Sequence, residues 1–301
     1  MDKKISIVIT TYKRNPQVVS RAVQSVMKQT YQNTEIIVVD DSPPDYTERV
    51  NVESAINQIE DDRIRYIQHE KNKGACAARN TGLHAANGTY IAFLDDDDEW
   101  LEYKLEAQLK EFKNNKIALV YCNAQKVYVS QQRTEPIKDM MVGYTGQVFD
   151  RLIRSNFIGS TSFPLLDREK LCEIGGFDVD MPAFQDWDVW LRLMRHYEAG
   201  FTSKVCVNYY VHPGERISTN TQKRVAAMER IMKKYNEVLQ NDKGIKIRML
   251  NYYKTLLIYN GDLRKAWSCY KSILKLQPFS ILHNARMALT FGRAVVKKKG
   301  I

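Results

Sequence analysis

The chain has 301 residues, enough for one large domain with a sizeable core and an appended segment. Its 44% apolar content excludes a disordered protein, and no apolar run approaches the ~20 residues of a transmembrane helix. The formal charge is +10, yet residues 1–222 carry 27 basic and 31 acidic residues, whereas residues 223–301 carry 18 basic and 4 acidic ones. A mildly acidic body with a basic C-terminal segment is therefore predicted, and binding to nucleic acid is disfavoured.

The N-terminus and the cysteines favour a cytoplasmic protein. The apolar run at residues 5–9 is too short for the hydrophobic part of a signal peptide, and polar residues follow it. The cysteines are odd in number, far apart and never in a CxxC pair, which is typical of reduced thiols. They are Cys76, Cys122, Cys172, Cys206 and Cys269.

The first 122 residues alternate between strand and helix patterns. Apolar runs predict strands at residues 5–10, 35–40, 64–68, 90–94 and 117–122. Helical patterns are predicted between them, at residues 16–27, 74–86 and 100–112. This alternation predicts an α/β fold with a mainly parallel sheet flanked by helices. Ligands of such sheets bind at the carboxyl ends of the strands.

The remainder of the chain divides into a less regular middle and a helical end. In the middle, a helix is predicted at 185–197 and a strand at 203–211. Helices are predicted at 248–259, 262–276 and 280–296. The hairpin that ends in Leu-Gln-Pro resembles a single tetratricopeptide-like unit, which needs the body, a partner or a membrane to cover its face.

Four consecutive carboxylates, Asp95–Asp98, follow the apolar strand at 90–94. Adjacent carboxylates repel one another unless a cation or hydrogen-bond donors neutralise them. Mg²⁺ and Mn²⁺ take oxygen ligands and share them with phosphates. Asp95 and Asp97 would face the same side of an extended segment. The alternative is an acidic cap for the helix predicted at 100–112, but a cap needs only one carboxylate.

Polar residues also follow the other strands. Asp40 and Asp41 could accept hydrogen bonds from a ribose hydroxyl or a base N–H, or could form an Asx turn. The segment 10–12 offers hydroxyls and an aromatic ring. Gly74 would let the backbone approach a ligand closely, and Arg79 follows it on a predicted helix. Alone, a glycine before a helix or a single arginine indicates little.

Six motifs, in this order, resemble those of the family 2 glycosyltransferases. They are SIVITTY (6–12), EIIVVDDS (35–42), NKG with ARNTG (72–82), GTYIAFLDDDDEW (88–100), GGFD (175–178) and QDWDVWLR (185–192). The match covers about residues 4–220. The resemblance implies a GT-A fold with a C-terminal helical extension, and an inverting transfer reaction. It also implies a nucleotide-sugar donor, most often a UDP-sugar, and a Mn²⁺ or Mg²⁺ cofactor.

The resemblance also implies roles for residues that would bind the donor nucleotide. Thr10 and Asp41 match positions at the uridine, with Asp41 at the uracil edge. Tyr12 lies beside them and could stack on the base. Gly74 and Arg79 fall in the segment that lines the nucleotide.

Further matches concern the metal and the catalytic base. Asp95 and Asp97 match the DXD motif, with Asp97 the preferred metal ligand, while Asp95 or Asp96 would face the ribose or the metal. Asp186 matches the catalytic base. The usual Glu-Asp pair reads Gln185-Asp186 here, which removes one carboxylate but keeps the base.

Residues 211–218 resemble the family's late segment near the pyrophosphate. By that resemblance His212 could complete the metal shell and Arg216 could hold a phosphate. The alternative is that both are merely exposed loop residues.

The basic tail has two interpretations. Residues 280–296 place apolar side chains against Arg286 and Arg293, which suits an amphipathic helix at an anionic membrane surface. Alternatively, this helix packs on the body and leaves a solvated basic face. We favour peripheral contact with the inner face of the plasma membrane, because many relatives glycosylate lipid-linked acceptors there.

These observations predict a GT-A catalytic domain at 1–222 and a basic helical extension at 223–301. The catalytic domain would have a nucleotide-binding half at 1–122 and an acceptor-binding half at 123–222. The expected activity is hexosyl transfer to a glycan or polyprenyl-linked acceptor in bacterial surface polysaccharide biosynthesis. A nucleotidyltransferase is rejected because residues 10–14 contain no glycine. A non-catalytic scaffold of the same fold is the remaining alternative, and Asp97 and Asp186 argue against it.

Overall fold

The computed structural model of the protein describes residues 3–137, 143–211 and 220–277. The chain divides into two units. Within the described residues, the first comprises 3–137, 143–152, 156–179 and 185–211, and the second comprises 153–155, 180–184 and 220–277. Segments 153–155 and 180–184 thus belong to the second unit although the chain around them belongs to the first.

A mixed sheet forms the centre of the first unit. Its strands are β1 (Ile5–Thr11), β2 (Thr34–Asp40), β3 (Ile64–Gln68), β4 (Tyr90–Asp95), β5 (Glu99–Trp100), β6 (Ile117–Tyr128), β7 (Arg133–Pro136), β8 (Leu165–Asp167) and β9 (Glu198–Tyr210). Their order among the described residues is β3-β2-β1-β4-β8-β6-β9-β5, and β7 pairs with β6. The strands β1 to β4 are mutually parallel, β8 is antiparallel to both β4 and β6, and β6 and β9 are parallel. The predicted α/β sheet is confirmed.

Seven helices of the first unit flank this sheet in the described residues. They are α1 (Pro16–Met27), α2 (Arg49–Asn57), α3 (Ala75–Ala85), α4 (Lys104–Leu109), α5 (Phe149–Leu152), α6 (Arg168–Glu173) and α7 (Gln185–Met194). Helix α1 begins where Asn15 accepts a hydrogen bond from the Gln17 amide and Pro16 supplies a favourable φ angle. Helix α3 begins after Gly74, whose φ of 88° is one that glycine adopts without strain.

Side chains of β1 pack on both faces of the sheet. Ile7 belongs to a core cluster with Val19 and Val23 of α1. On the opposite face, Val8 lies against Gly82 of α3, where a Cβ atom would come within 2.2 Å of the valine Cγ1. Because both faces are covered, β1 and β2 consist almost entirely of buried residues, many of them β-branched.

The segment predicted as a helix over 100–112 is different in the structure. Trp100 belongs to β5 and pairs with Val207 of β9, and its indole Nε1 donates to the Ser162 carbonyl at 2.9 Å. The helix α4 begins only at Lys104. The prediction of a helix is therefore confirmed only for Lys104–Leu109, because strand pairing takes the start of the segment and the helix ends before residue 112.

The second unit is helical over residues 220–277. Its helices are α8 (Thr221–Lys234), α9 (Asn236–Asn241), α10 (Lys243–Asn260) and α11 (Leu263–Leu276). The side chains of Asn220, Asp242 and Asp262 cap α8, α10 and α11. Gly261, with a φ of 84°, ends α10. The predicted helix at 280–296 lies outside the described residues, and no helix within them is long and apolar enough to cross a bilayer.

The close approach of α3 to β1 predicts that Gly82→Ala destabilises the first unit. The added methyl group has to displace Val8, and overpacking of this kind costs about 1–3 kcal/mol of unfolding free energy. Urea denaturation measures the change. The control is His84→Ala in the same helix, where the side chain is exposed. Equal stability of the two variants would contradict the packing described.

Candidate functional site

The carboxyl ends of β1, β2 and β4 lie side by side, as expected of parallel strands. Thr10 is paired with Asp95 in β4 on one side and with Val39 in β2 on the other. The Asp41 amide donates to the Thr11 carbonyl at 2.9 Å, so the chain leaves β2 beside the end of β1. This register brings the polar residues of three sequence motifs to one edge of the sheet.

The four carboxylates after β4 alternate in their exposure. The side chains of Asp95 and Asp97 are 29% and 20% exposed, whereas Asp96 and Asp98 are buried. The Asp98 amide donates to the Asp95 carbonyl at 3.0 Å, so the chain turns directly after the strand. Asp95 and Asp97 are therefore the members of the run that solvent reaches best.

Asp98 anchors the run inside the protein. Ser162 Oγ donates to its Oδ2 at 2.7 Å, and the Tyr210 amide donates to its Oδ1 at 3.3 Å. Burial, together with the charges of Asp95 and Asp97, raises the pKa of Asp98 well above its ordinary value. The alternative of an acidic helix cap is wrong for this run, because α4 begins after Tyr103 without a side-chain cap.

Asp95 is held by three side chains. Arg79 Nη2 donates to its Oδ1 at 2.8 Å, Thr161 Oγ1 to the same oxygen at 3.1 Å, and Ser160 Oγ to its Oδ2 at 3.2 Å. Burial by itself would raise the pKa of Asp95, but Arg79 and these hydrogen bonds outweigh it and lower the pKa. Asp95 is therefore ionised at neutral pH.

Arg79 also links this carboxylate to the start of α7. Its Nη1 donates to Gln185 Oε1 at 3.0 Å, while its Nη2 holds Asp95. The guanidinium is mostly buried beside Phe177, with 5.5 Å between Cζ and the ring centroid. The end of β4, helix α3 and the start of α7 are therefore joined by the Arg79 side chain.

Asp186, next to Gln185, occupies the first turn of α7. Its Oδ1 accepts from the Trp187 amide at 2.8 Å, and its Oδ2 accepts from Asn156 Nδ2 at 3.1 Å. Burial raises the pKa of Asp186 to about 6, assisted by the charge of Asp95 and opposed by the Trp187 amide and Arg79. The carboxylate is thus mainly ionised at neutral pH and more basic than an exposed aspartate.

Asp96 and Asp97 share one arginine that the sequence patterns did not single out. Arg14 Nε donates to Asp96 Oδ1 at 2.9 Å, and its Nη2 donates to Asp97 Oδ2 at 2.9 Å. Burial raises the pKa of Asp96 to about 7 although Arg14 opposes this shift. In the sequence Arg14 is only a basic residue near the start of α1, 82 positions from its partner.

Asp41 fixes the loop that precedes α3. Its oxygens accept from the Lys73 amide at 2.7 Å, the Gly74 amide at 2.8 Å and His69 Nδ1 at 2.7 Å. The Asx turn is made by Asp40, whose Oδ1 accepts from the amide two residues later at 2.8 Å. Nearby, Tyr12 is exposed at the end of β1.

Two residues expected at the site, His212 and Arg216, lie outside the described residues, as does the basic segment after residue 277. Within the described ranges, no three His, Cys, Asp or Glu side chains form a group that could hold a metal. The donor set of Asp95 and Asp97 nevertheless suits a hard divalent cation, because both present carboxylate oxygens that solvent reaches. Such a cation would need further oxygen ligands, which a diphosphate can supply.

Several residues with a place in the site had no signal in the sequence. Asn156 and the three hydroxyl residues Ser160–Ser162 come from the irregular middle segment, where no periodic pattern marks them. Asp188, by contrast, is fully buried and pairs with Arg192, which donates to the carbonyls of Ile174 and Gly176. Asp188 therefore holds the turn before residue 177 in place.

The chain is similar to known proteins in sequence. Residues 6–175 match the profile of Glycosyl transferase family 2. The putative colanic acid biosynthesis glycosyl transferase WcaA of Escherichia coli K12 is 32% identical over 279 residues, which cover 91% of this chain and 94% of that protein. UDP-Glc:alpha-D-GlcNAc-diphosphoundecaprenol beta-1,3-glucosyltransferase WfaP of Escherichia coli is 31% identical over 237 residues, 76% of this chain and 85% of that one.

The fold is similar to that of solved glycosyltransferases. The mannosyltransferase PcManGT from Pyrobaculum calidifontis, solved in complex with GDP-Man and Mn²⁺, has a TM-score of 0.60 and 17% identity. The match covers 98% of this chain and 81% of that one. The likeness confirms the predicted GT-A architecture.

The contact between Asn156 and Asp186 predicts a change in acidity. Replacing Asn156 by Ala removes a donor that stabilises the ionised carboxylate, so the pKa of Asp186 should rise above about 6. NMR titration of ¹³C-labelled aspartate carboxyls measures it, with the exposed Ser155→Ala as the control. An unchanged or lower pKa in Asn156→Ala would show that this contact does not stabilise the charge.

Proposed function

The chain belongs to glycosyl transferase family 2, and we propose that it is an inverting hexosyltransferase that uses a UDP-sugar as its donor. The observation that carries the proposal is the continuous contact from Asp95 through Arg79 to Gln185, next to Asp186. Asp95, which we assign to the donor, and Asp186, which we assign to proton removal, therefore belong to one connected site.

The nucleotide would bind at the shared edge of β1 and β2. Thr10 lies at the end of β1, and Asp41 ties the Lys73–Gly74 backbone to the end of β2. We assign the uridine to this edge, with Asp41 at the base and the exposed ring of Tyr12 beside it. The name of WfaP specifies UDP-Glc as its donor, which favours UDP over other nucleotides.

The diphosphate and a divalent cation would occupy the space beside the acidic run. Asp97 is the proposed ligand of Mn²⁺ or Mg²⁺, with Asp95 as a second candidate and Asp96 behind them. His212 would complete the metal shell and Arg216 would hold a phosphate. The bound cation would supply charge stabilisation for the departing diphosphate. The Mn²⁺ in the complex of PcManGT agrees with this choice of metal.

The transfer needs a base, and Asp186 is the proposed one. An acceptor hydroxyl forms a bond from its oxygen to C1 of the donor sugar as the bond from C1 to the diphosphate oxygen breaks. The hydroxyl proton passes to Asp186, and UDP leaves with its charge. A single displacement inverts the configuration at C1. A retaining glycosidase would instead need a second carboxylate at C1 as its nucleophile.

The proposed acceptor is a glycan or a polyprenyl-linked saccharide. Relatives act in bacterial polysaccharide biosynthesis, and the name of WfaP specifies a diphosphoundecaprenol-linked acceptor. We place the reaction in the cytoplasm, with peripheral contact of the basic C-terminal segment at the inner membrane face. Residues 1–222 would form the catalytic domain and 223–301 the extension.

A donor screen tests the proposal. We expect UDP release from at least one UDP-sugar in the presence of Mn²⁺ and an oligosaccharide or polyprenyl-linked acceptor, with most of the rate lost in excess EDTA. NMR of the product should show a β-linkage from an α-linked donor. Metal-dependent UDP binding without turnover of any nucleotide sugar would instead favour the scaffold alternative.

A substitution at Asp186, the proposed base, should separate the transfer step from UDP binding. Asp186→Asn should retain UDP binding and lose about 10²–10⁴-fold in kcat, because the amide cannot take the proton. In the unmodified protein kcat/KM should fall as the pH drops through about 6, where Asp186 becomes protonated. The exposed Asp62→Asn serves as the control. Full activity of Asp186→Asn would refute the assignment.

A further inference from the structure

Arg14 lies on the two carboxylates at which the proposed cation would bind. One edge of its guanidinium contacts Asp96 and Asp97 at the same time, with both nitrogen–oxygen distances at 2.9 Å. The arginine side chain is 41% exposed, whereas the Asp96 side chain is only 6% exposed. The contact of Arg14 with Asp96 is therefore less exposed to solvent than its contact with Asp97.

The backbone before Arg14 is held in an unusual conformation. Lys13 has a φ of 49°, in the left-handed region that non-glycine residues rarely adopt. The Lys13 amide donates to Ser42 Oγ at 2.8 Å, which ties this turn to the end of β2. Backbone strain of this kind persists only where the surroundings impose it, and here it directs the next side chain towards the acidic run.

We propose that Arg14 competes with the divalent cation for Asp97 and exchanges that carboxylate for the donor diphosphate when the cation binds. Asp96 acts as the tether in this exchange. Its hydrogen bond to Arg14 Nε would persist while Nη2 moves from Asp97 to a phosphate oxygen. The inference rests on the proposed function and assigns to Arg14 a direct contact with the leaving group.

The charges favour this competition. The guanidinium is a permanent cation, and its Nη2 already uses Asp97 Oδ2 in a charge-assisted hydrogen bond. A metal ion on the same carboxylate is repelled by this cation, and a metal ion that takes Oδ2 displaces it. A diphosphate offers Arg14 a new anionic partner of the geometry that guanidinium groups prefer. The bound cation therefore increases the affinity for UDP through Arg14, in addition to its own contact with the diphosphate. By thermodynamic linkage, bound UDP increases the affinity for the cation by the same factor.

The test measures Mn²⁺ and UDP binding in Arg14→Gln. Mn²⁺ affinity without UDP, followed by the EPR signal of free Mn²⁺, should rise about tenfold because the competing charge-assisted bond is lost. UDP affinity at saturating Mn²⁺, followed by calorimetry, should fall about tenfold because a phosphate contact is lost. The two opposite changes distinguish competition from a general loss of structure, which would weaken both.

The matched control is Lys13→Gln, which removes the same charge one residue away. Lys13 is exposed, and its Nζ lies 5.6 Å from the centre of the Tyr12 ring rather than on the acidic run. This variant should bind Mn²⁺ without UDP within about twofold of the unmodified protein, because exposed charges are largely screened. Arg14→Lys keeps the charge but loses the planar fork, so its Mn²⁺ affinity should lie between those of Arg14→Gln and the unmodified protein.

Two results would overturn the inference. One is Mn²⁺ affinity in Arg14→Gln that is unchanged or weaker in the absence of UDP. The other is an equal increase in Lys13→Gln, which would indicate a general charge effect. If Arg14→Gln does not fold, Arg14→Lys decides by the same two measurements. Absence of metal-dependent UDP binding in the unmodified protein would instead refute the proposed function itself, so the two failures are distinguishable.

Discussion

The structure of the site depends on the neutralisation of four consecutive carboxylates at the end of one buried strand. Placed side by side without partners, Asp95–Asp98 would repel one another strongly, and burial would increase the cost. The fold meets this constraint by placing hydrogen-bond donors from separate segments on the carboxylates. Arg79 holds Asp95, while Asp98 is fixed by the hydroxyl of Ser162. Arg14 joins the two members between them.

These donors come from distant parts of the chain, and this is why the acidic run organises its surroundings. Arg79 brings α3 and the start of α7 to β4, and Arg14 brings the β1–α1 connection to the turn after it. The hydroxyl residues 160–162 add the segment before β8. The same contacts that relieve the repulsion therefore bring together, at one edge of the sheet, the residues that we propose for nucleotide binding, cation binding and proton transfer.

The sequence predicted those features whose signal is local. Apolar strand runs and helical spacing are short patterns, and they located β1 to β4, α1 and α3 closely. The order of the motifs indicated the family, and the resemblance predicted Asp186 as the catalytic base without any knowledge of its surroundings. The sequence could not predict that Trp100 pairs with β9, because the pairing involves a strand about a hundred residues later. Nor could it distinguish Asp98, an anchor, from Asp95, since adjacent identical residues carry no pattern.

Hydrophobic periodicity by itself determined the class of fold, and the resemblance of six ordered motifs to those of a known family indicated the family and the carboxylates on which the proposed chemistry depends. They could do so because hydrophobic periodicity and strand-end motifs are properties of neighbouring residues. Only the tertiary structure decided which donor meets each carboxylate, that Asn156 holds Asp186, and that Arg14 covers Asp97. The pairs Arg14–Asp97 and Asn156–Asp186 join residues 83 and 30 positions apart. Their contact is a consequence of sheet order and helix packing, which no short stretch of sequence contains.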